Sequence, residues 1–440
     1  MGKNQYIVAF EIGSSKIVGA IAEKTSAGVQ VRCLETEKLS NCVRYGSIQN
    51  PDMVKSSINR ITTRLENAID GRIKKVYVGV SGRSVHSVEL ETEHALDSSR
   101  PITEEMIKGY IREMTRSQQN GYEIIDIVPR VIKVDNKETT SPVGQFGTKI
   151  NIKVNLIVAR EMMKQNLDRA MGSLNKKYVV TQLAVGKEVL NESDRTLGCM
   201  LVDMGAETTT VSIYKNNALC YLNTLPLGGL NLTKDIAMGL SVVEEEAESI
   251  KLNLNSPLDP NAGNIEVGGV RSTDAASFIS ARMGEMIANI NEQVKYANLT
   301  ILDDVKNVVL VGGGAQLKGL PERMEEDLKV KVRRGDYPLD VIITDHHVNR
   351  PEYIEILSLL ARSAKTLAPG ESCVERMEYE NGPVMGGGLV DVPTVAPEPT
   401  PEPVARKDSE KKRKGGWLSS LRARAASLLD ENDIDSEDEK

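Results

Sequence analysis

One arrangement of residues occurs twice in this 440-residue chain and narrows the folds open to it. In residues 9–20, AFEIGSSKIVGA, an apolar strand ends at the acid Glu11 and turns through a glycine-rich loop into a second strand. Residues 198–214, GCMLVDMGAETTTVSIY, repeat this layout around Asp203. Spacing alone indicates no internal repeat beyond these loops. Two copies of one uncommon layout favour a shared binding design over two ordinary hairpin turns.

The loop residues have the chemistry of a phosphate site. Successive backbone N–H groups in a tight turn, together with hydroxyls and a lysine, can hold phosphate oxygens, and a carboxylate at a strand end can hold a hydrated Mg²⁺. The loop residues are Gly13, Ser14, Ser15 and Lys16 in the first copy and Gly205, Ala206, Thr208 and Thr209 in the second. We expect them to bind phosphate, and Glu11 and Asp203 to hold Mg²⁺ through water.

A third glycine run lies in residues 308–324, VVLVGGGAQLKGLPERM. An apolar strand ends in Gly312, Gly313 and Gly314, and a helical pattern follows after Leu317; we expect these glycines and Gln316 to contact the ligand. Glycines let the backbone pass close to a flat ligand, and the N-terminus of a helix favours anionic groups. At the end of a buried strand, such a run is more typical of a binding site than of a flexible turn.

The rest of the chain favours an α/β fold and excludes several classes of function. Strand-like apolar runs alternate with helical periodicity. The net charge of −7 argues against a nucleic-acid binder. The five scattered cysteines suggest neither disulfides nor zinc, and His346-His347 has no third ligand nearby. Because no leader or membrane span is apparent, we expect a protein of the reducing cytoplasm.

A linker and a short amphipathic segment follow the regular pattern. The linker is Gly-rich, then Pro-rich, then basic, and it would span on the order of 30 Å. In the segment after it, the apolar residues fall within an arc of about 120° on a helical wheel, with two arginines at its edges. The predicted membrane-binding residues are Trp417, Leu418, Leu421, Arg422, Arg424, Ala425, Leu428 and Leu429. Such a helix can lie flat on a lipid surface, or dock on the protein's own body or in a partner's groove.

The order and spacing of the three glycine loops resemble those of the actin, Hsp70 and sugar-kinase superfamily, in which two lobes bind ATP and Mg²⁺ between them. The resemblance implies that Gln182 orients the attacking water, although its position also suits an amide on a surface helix. It also implies that Glu248 and Lys251 touch the nucleoside. Their spacing puts both on one helical face, as it would in an ordinary solvated pair.

An insert points to one family within this superfamily. Residues 76–87, 122–135 and 141–160 resemble the inserted subdomain of the FtsA family of bacterial actin-like cell-division proteins, and residues 225–240 and 350–364 resemble further FtsA segments. The resemblance implies a protein at the cytoplasmic face of the cell membrane, at the septum. It also implies head-to-tail self-assembly, binding of FtsZ, contacts with other divisome proteins and peripheral attachment to membrane lipid.

We therefore predict a two-lobed actin/Hsp70-like ATPase fold with an FtsA-type inserted subdomain. The predicted segments are 1–83 and 163–196 for the first lobe, 84–162 for the insert, 197–380 for the second lobe, 381–414 for the linker, 415–430 for the membrane helix and 431–440 for an acidic tail. The tail departs from the usual FtsA ending, where the helix lies nearly at the terminus.

Three loop residues also depart from the family pattern. Glu11 stands where Asp is expected, Glu207 where Gly is usual, and Thr210 where Asp is usual. Glu11 adds a methylene between backbone and metal, and Glu207 brings a carboxylate towards a polyphosphate, where like charges repel. We expect ATP binding with weak or no ATPase activity.

Two other functions fit parts of the pattern. A small-molecule kinase of the superfamily would use the cleft to phosphorylate a hydroxyl. Such an enzyme needs a carboxylate base, for which this chain has no clear candidate, and it has no use for a membrane helix. An actin-like protein of pilus assembly would share the character of the insert and lack the Trp417 helix. The basic and apolar segment at 411–430 therefore favours the cell-division function.

Overall fold

The computed structural model describes residues 5–39, 41–116, 121–260, 266–267, 270–343 and 350–376. The predicted linker, membrane helix and acidic tail at 381–440 lie outside these residues, as does His346-His347. None of the helices within the described residues is long and apolar enough to cross a bilayer.

The strands, numbered in chain order, are β1 (Gln5–Ile12), β2 (Lys16–Thr25), β3 (Gly28–Lys38), β4 (Val43–Arg44), β5 (Ser47–Ile48), β6 (Gly71–Ile73), β7 (Lys75–Val80), β8 (His86–Ala95), β9 (Tyr122–Val134), β10 (Lys137–Glu138), β11 (Lys149–Arg160), β12 (Asn175–Val180), β13 (Cys199–Met204), β14 (Thr209–Lys215), β15 (Ala218–Leu225), β16 (Glu266–Val267), β17 (Val270–Arg271), β18 (Asn307–Val311), β19 (Lys331–Arg334), β20 (Val341–Ile343) and β21 (Val374–Arg376). The α-helices are α1 (Pro51–Ile69), α2 (Glu104–Arg116), α3 (Glu161–Met171), α4 (Thr181–Glu188), α5 (Glu192–Leu197), α6 (Gly229–Leu240), α7 (Glu244–Asn253), α8 (Ser272–Tyr296), α9 (Leu320–Leu328) and α10 (Ile354–Thr366). Short 3₁₀ turns lie at Gly314–Gln316 and Arg350–Tyr353.

The first lobe is built on a mixed sheet of order β12-β7-β1-β2-β3-β20. β1, β2 and β3 form an antiparallel meander, and β7 and β12 add on parallel to β1. The central strands are apolar on both faces because helices cover both sides, as expected for buried strands. Helix α1 packs on β2 and β3 and begins at Asn50, whose side chain accepts a hydrogen bond from the N–H of Met53.

The second lobe repeats this plan. Its sheet has the order β15-β14-β13-β18-β19, with an antiparallel meander of β13, β14 and β15 and with β18 and β19 parallel to β13. Five strands of one sheet therefore match five of the other in order and direction. Residue spacing in the sequence indicated no repeat longer than the loops. The larger repeat escaped prediction because strand topology can persist when the spacing between elements has diverged.

The insert is a small domain with its own core. Strands β10-β9-β11-β8 form an antiparallel sheet between His86 and Arg160, and α2 packs on it. Hydrogen bonds of Asn155 and Ser87 attach this sheet to β15 of the second lobe. The Asn155 side-chain amide donates to the Leu219 carbonyl at 2.6 Å, and the Leu222 N–H donates to the Ser87 hydroxyl at 2.8 Å.

The chain returns to the first lobe after it has built the second. Strand β20 pairs with β3, β21 pairs with β6, and α10 packs against β1, β2 and α4. Residues 341–376 therefore differ from our prediction, which placed the whole of 197–380 in the second lobe. A helical or strand pattern shows that a segment is buried, but it does not show which of two similar sheets covers it.

Candidate functional site

The two repeated loops are equivalent hairpins. In the first, Ile12 pairs with Ile17 and the Gly13 N–H donates to the Lys16 carbonyl at 3.0 Å. In the second, Met204 pairs with Thr209, and the Gly205 N–H donates to the Thr208 carbonyl at 2.8 Å. Both hairpins thus have four-residue loops closed by the same hydrogen bond.

The acids before these loops meet between the lobes. Glu11 lies near the end of β1 and Asp203 near the end of β13. Burial, and then the charge of Asp203, raise the pKa of Glu11 to about 7, although Lys16 opposes the shift. Burial also raises the pKa of Asp203, against hydrogen bonds from Gln182 and Glu355 that lower it. Two carboxylates buried in the same site provide a suitable environment for a cation.

Gln182 lies in the first turn of α4 and is buried, with 2% of its surface exposed. Its Nε2 donates to Oδ2 of Asp203 at 3.0 Å, so an amide of the first lobe holds the carboxylate of the second. Its Oε1 has no hydrogen-bond partner among the residues that the structure describes. The side chain is therefore not a surface-helix amide, and it keeps an acceptor that can receive a hydrogen bond from water.

The third glycine run packs directly against the second hairpin. A Cβ atom on Gly312 would lie 2.6 Å from Oδ1 of Asp203 and 2.5 Å from the carbonyl of Met204, and the residue has φ +89°. A Cβ on Gly314 would lie 2.9 Å from the same carbonyl, whereas one on Gly313 would meet open space. Glycine is required at 312 and 314 because the backbones approach so closely.

Glu248 and Lys251 lie on one face of α7, as predicted, and they form an ion pair of 2.7 Å. The Lys251 ammonium also donates to the Thr233 hydroxyl at 2.9 Å and to the Gly229 carbonyl at 3.1 Å. The Lys251 side chain is only 10% exposed, whereas that of Glu248 is 41% exposed, so the pair is solvated on the acid side alone. Lys251 lies near two of the glycine loops: the point where a Cβ on Gly229 would lie is 3.9 Å from its Nζ, 3.7 Å from the Gly205 carbonyl oxygen and 3.8 Å from Cα of Gly314.

The Lys16 side chain contacts the segment that precedes α10. Its Nζ lies 4.4 Å from the centroid of the Tyr353 ring and 3.9 Å from a carboxylate oxygen of Glu352. Both partners precede α10, so the lysine connects the first hairpin with that helix.

Another hairpin of the first lobe contacts both of the repeated glycine-rich loops. Between β4 and β5, Tyr45 and Gly46 have φ of +52° and +71°, which is typical of a two-residue type I′ turn. The Tyr45 N–H donates to Oε2 of Glu207 at 2.6 Å, and the Gly46 N–H donates to the Ser14 hydroxyl at 2.9 Å. Glu207 is thus held by a backbone donor of the opposite lobe.

The remaining loop residues have supporting positions. The Thr209 hydroxyl donates to the Leu227 carbonyl at 2.8 Å, and the Ala206 carbonyl accepts from the Leu230 N–H at 2.7 Å. Thr210 is buried in β14 and shares a hydrogen bond of 3.1 Å with Thr224. Ser15 is exposed, Thr208 closes its own turn, and Gln316 lies half-buried after the third glycine run.

Glu355 and the Tyr45-Gly46 turn were not predicted from the sequence. Glu355 lies in the first turn of α10 and is 7% exposed. Burial, followed by the charges of Asp203 and Glu11, holds the pKa of Glu355 well above its ordinary value. A single acid in the apolar run IEILSLLA was the available signal. The turn gave a weaker signal, a glycine after an aromatic residue.

The acids fit a hydrated cation better than a directly bound one. Within the described part of the chain, no group of three or more His, Cys, Asp or Glu side chains is arranged to ligate a metal. Mg²⁺ commonly keeps several waters and binds one or two carboxylates. Glu11 and Asp203 with the free Gln182 oxygen match that requirement, because each can accept a hydrogen bond from metal-bound water.

Two duplicated α/β lobes, each with an acid-and-glycine hairpin and joined by the hydrogen bonds of Gln182 and Tyr45, define an actin-like ATPase fold with an inserted domain. In agreement, the chain superposes on a solved structure described as the PilM-PilN type IV pilus biogenesis complex with a TM-score of 0.60 at 16% identity, covering 81% of this chain and 98% of that chain. This likeness concerns the fold alone.

The family follows from sequence comparison. A family model described as cell division protein FtsA matches residues 200–358, and one described as the SHS2 domain inserted in FtsA matches residues 82–158. The chain is 31% identical over 388 residues to the cell division protein FtsA of Porphyromonas gingivalis, a match that covers 83% of this chain and 79% of that protein. Identity to FtsA of Escherichia coli is 25% over 392 residues, covering 84% and 93%. The chain belongs to the FtsA family of cell division proteins, which confirms the predicted family.

Proposed function

We propose that this chain binds ATP with Mg²⁺ between its lobes, polymerises and attaches FtsZ to the cytoplasmic membrane. The meeting of all three glycine loops around Glu11 and Asp203 carries the nucleotide part of this proposal. Open space lies beside Gly313, between two glycines that pack against the second hairpin, and Lys251 places a cation nearby. When bound, Mg²⁺ would neutralise part of the acid charge and that of the phosphates.

We expect this chain to hydrolyse ATP slowly or not at all. Gln182 can order a water, since its Oε1 has no partner within the described part of the chain, but its Nε2 already donates to Asp203. The longer side chain of Glu11 changes the position of its carboxylate relative to that of an aspartate. Steady Mg²⁺-dependent release of phosphate from purified protein, lost in Gln182→Ala, would contradict slow turnover.

Membrane attachment rests on the sequence of residues 411–430. The basic cluster Lys411-Lys412-Arg413-Lys414 adds up to about 1 kcal/mol per charge near an anionic leaflet, and the apolar stripe with Trp417 adds burial. Linked anchors share an effective concentration, so a polymer of weakly anchored subunits binds far more tightly than one subunit. Polymer state would then control attachment, with the insert at 84–162 acting in head-to-tail contacts.

The test uses the single tryptophan of the chain, Trp417. Its emission is recorded while the full-length protein is titrated with anionic vesicles, with and without ATP and Mg²⁺. A blue shift that sharpens with nucleotide is the expected result. No shift in either condition would overturn the anchor and favour a soluble actin-like protein instead.

Binding of FtsZ and recruitment of other divisome proteins rest on family membership. The direct test is co-sedimentation of the protein with FtsZ filaments, with and without the vesicles. FtsZ that reaches vesicles only when this protein is present supports the tether. FtsZ that stays in solution in every mixture would contradict it.

A further inference from the structure

The Tyr45-Gly46 turn presents two backbone donors in positively charged surroundings. The strands on either side pair at Arg44 and Ser47, so the N–H groups of Tyr45 and Gly46 lie in the loop of the hairpin. Successive N–H groups in a turn form a concavity that binds anions. The guanidinium carbons of Arg44 and Arg83 lie 5.9 and 5.4 Å from the centroid of the Tyr45 ring, and both arginines are exposed. The turn therefore has the character of an anion-binding element.

The anion that this turn holds comes from the protein itself. Oε2 of Glu207 accepts the Tyr45 N–H at 2.6 Å, and Glu207 is only 9% exposed. The next N–H, that of Gly46, donates to the Ser14 hydroxyl at 2.9 Å. One donor of the turn thus binds the second repeated loop, and the other binds the first. The Glu207 carboxylate therefore enters the gap between the two loops from the second lobe.

The backbone before Glu207 is fixed by the start of α6. The Leu230 N–H donates to the Ala206 carbonyl at 2.7 Å. A Cβ atom on Gly228 would lie 2.5 Å from the same carbonyl oxygen and 2.7 Å from the backbone nitrogen of Glu207. The loop is thus held against α6, while the Glu207 side chain extends to the first lobe.

A phosphate group that both loops bind must lie in the gap that the Glu207 carboxylate enters. Phosphate and carboxylate oxygens are acceptors for the same N–H group, and like charges at short range repel. A nucleoside triphosphate carries one phosphate group more than a diphosphate, and with it more negative charge. The carboxylate therefore competes more strongly with the longer ligand.

We propose that Glu207 takes the place of the terminal phosphate of a nucleoside triphosphate at the Tyr45 N–H, so that this chain binds the diphosphate more tightly than the triphosphate. The proposal names the ligand preference of the proposed nucleotide site and rests on that function. A diphosphate leaves the hydrogen bond between Glu207 and Tyr45 in place. A triphosphate binds only after it has displaced the carboxylate, which lowers its affinity.

The test is calorimetric titration of the full-length protein with ADP and with the non-hydrolysable ATP analogue AMPPNP, each in excess Mg²⁺. Glu207→Gln keeps the size of the side chain and one acceptor but removes the charge, and Glu207→Gly removes the side chain. We expect wild type to bind ADP more tightly than AMPPNP. The ratio of the two Kd values should shift towards AMPPNP by about tenfold in Glu207→Gly, and by less in Glu207→Gln. A change that only loosened the contact between the lobes would alter both Kd values by the same factor.

Glu326→Gln is the matched control, because it removes the same charge from an exposed position in the last turn of α9, in the second lobe. It should leave both Kd values unchanged. A wild type that prefers AMPPNP would overturn the inference and leave the nucleotide function standing, as would an unchanged Kd ratio in both Glu207 variants. If neither wild type nor any variant binds either nucleotide, the proposed nucleotide function itself fails, and the inference fails with it.

Discussion

The carboxylate of Glu207, in the second lobe, accepts a hydrogen bond of 2.6 Å from the backbone N–H of Tyr45, in the first. From the sequence we expected this acid to repel a polyphosphate. The structure instead turns it towards a backbone donor, and the neighbouring Gly46 N–H binds Ser14 of the other hairpin. The Tyr45-Gly46 turn thus joins the two repeated loops.

Glu207→Ala is expected to loosen this connection. An N–H that loses its acceptor away from water costs about 1–3 kcal/mol, equivalent to roughly 5- to 150-fold in an opening equilibrium, and the partly buried Tyr45 N–H should lie towards the lower end. Hydrogen exchange at the Tyr45 amide should accelerate accordingly, and Glu207→Gln, which retains an acceptor, should lie between Ala and wild type. Unchanged protection in Glu207→Ala would show that the bond does not hold the lobes together.

Gln182→Ala should remove the hydrogen bond that the first lobe donates to Asp203. The Gln182 amide lowers the pKa of Asp203, so its removal raises that pKa and disfavours the charged form that attracts a cation. We expect more Mg²⁺ to be needed for half-maximal binding of an ATP analogue, by a few-fold. Binding in the absence of Mg²⁺ serves as the control and should change less. An unchanged Mg²⁺ requirement would mean that Gln182 is unimportant for the acid.

Gly312→Ala should be far more disruptive than Gly313→Ala. At 312 the positive φ and the contacts of 2.5–2.6 Å with Met204 and Asp203 leave no room for a methyl group, and strain of this kind costs of order 1–3 kcal/mol. At 313 a methyl group would meet open space. Chemical unfolding of both variants measures the difference, and equal stabilities would contradict the close approach of the loops.

The predicted membrane helix can be tested by adding one negative charge to either face. Leu421→Asp places the charge within the apolar stripe and should abolish sedimentation with anionic vesicles. Ser427→Asp places the same charge on the opposite face and should weaken binding only modestly. If both variants bind alike, the attraction is electrostatic and the stripe is not inserted.

An ion pair near the end of the described residues gives a pH prediction. Lys75 Nζ donates to Oε1 of Glu371 at 2.6 Å, and this bond lowers the pKa of Glu371 below its usual 4.5. The stabilisation is therefore present at neutral pH and is lost as the pH falls through the lowered pKa. Because Glu371 is about one-third exposed, Glu371→Gln should cost under about 1 kcal/mol at pH 7. Thermal unfolding of the two proteins should converge once the pH lies below the lowered pKa of Glu371.

The fold class and the hairpins were predictable because they depend on local patterns. A strand that ends in an acid and a glycine can be recognised within a dozen residues, as Glu11 and Asp203 were. The spacing of Glu248 and Lys251 likewise fixed their shared helical face. Comparison with known families then confirmed the actin-like fold and the FtsA family.

Features that depend on contacts between residues far apart in the sequence were not predictable from it. Glu355 reaches Asp203 from a helix some 150 residues further along the chain, and no local pattern assigns that helix to the first lobe. The interaction of Glu207 with Tyr45 joins residues 162 positions apart. Gln182 could be placed on a helix, but its burial depends on how α10 packs against α4.

The late return of the chain to the first lobe has a consequence for biosynthesis. A ribosome that has finished β1 to β12 has produced a sheet that still lacks α10, whose buried residues pack on β1, β2 and α4. The apolar surface that α10 covers stays uncovered until more than 150 further residues have been synthesised, so the second lobe can fold while the first remains incomplete. Nascent chains of this protein should therefore depend on chaperones until residues 354–376 emerge. A truncation before Ile354 should be less soluble than one made after Arg376.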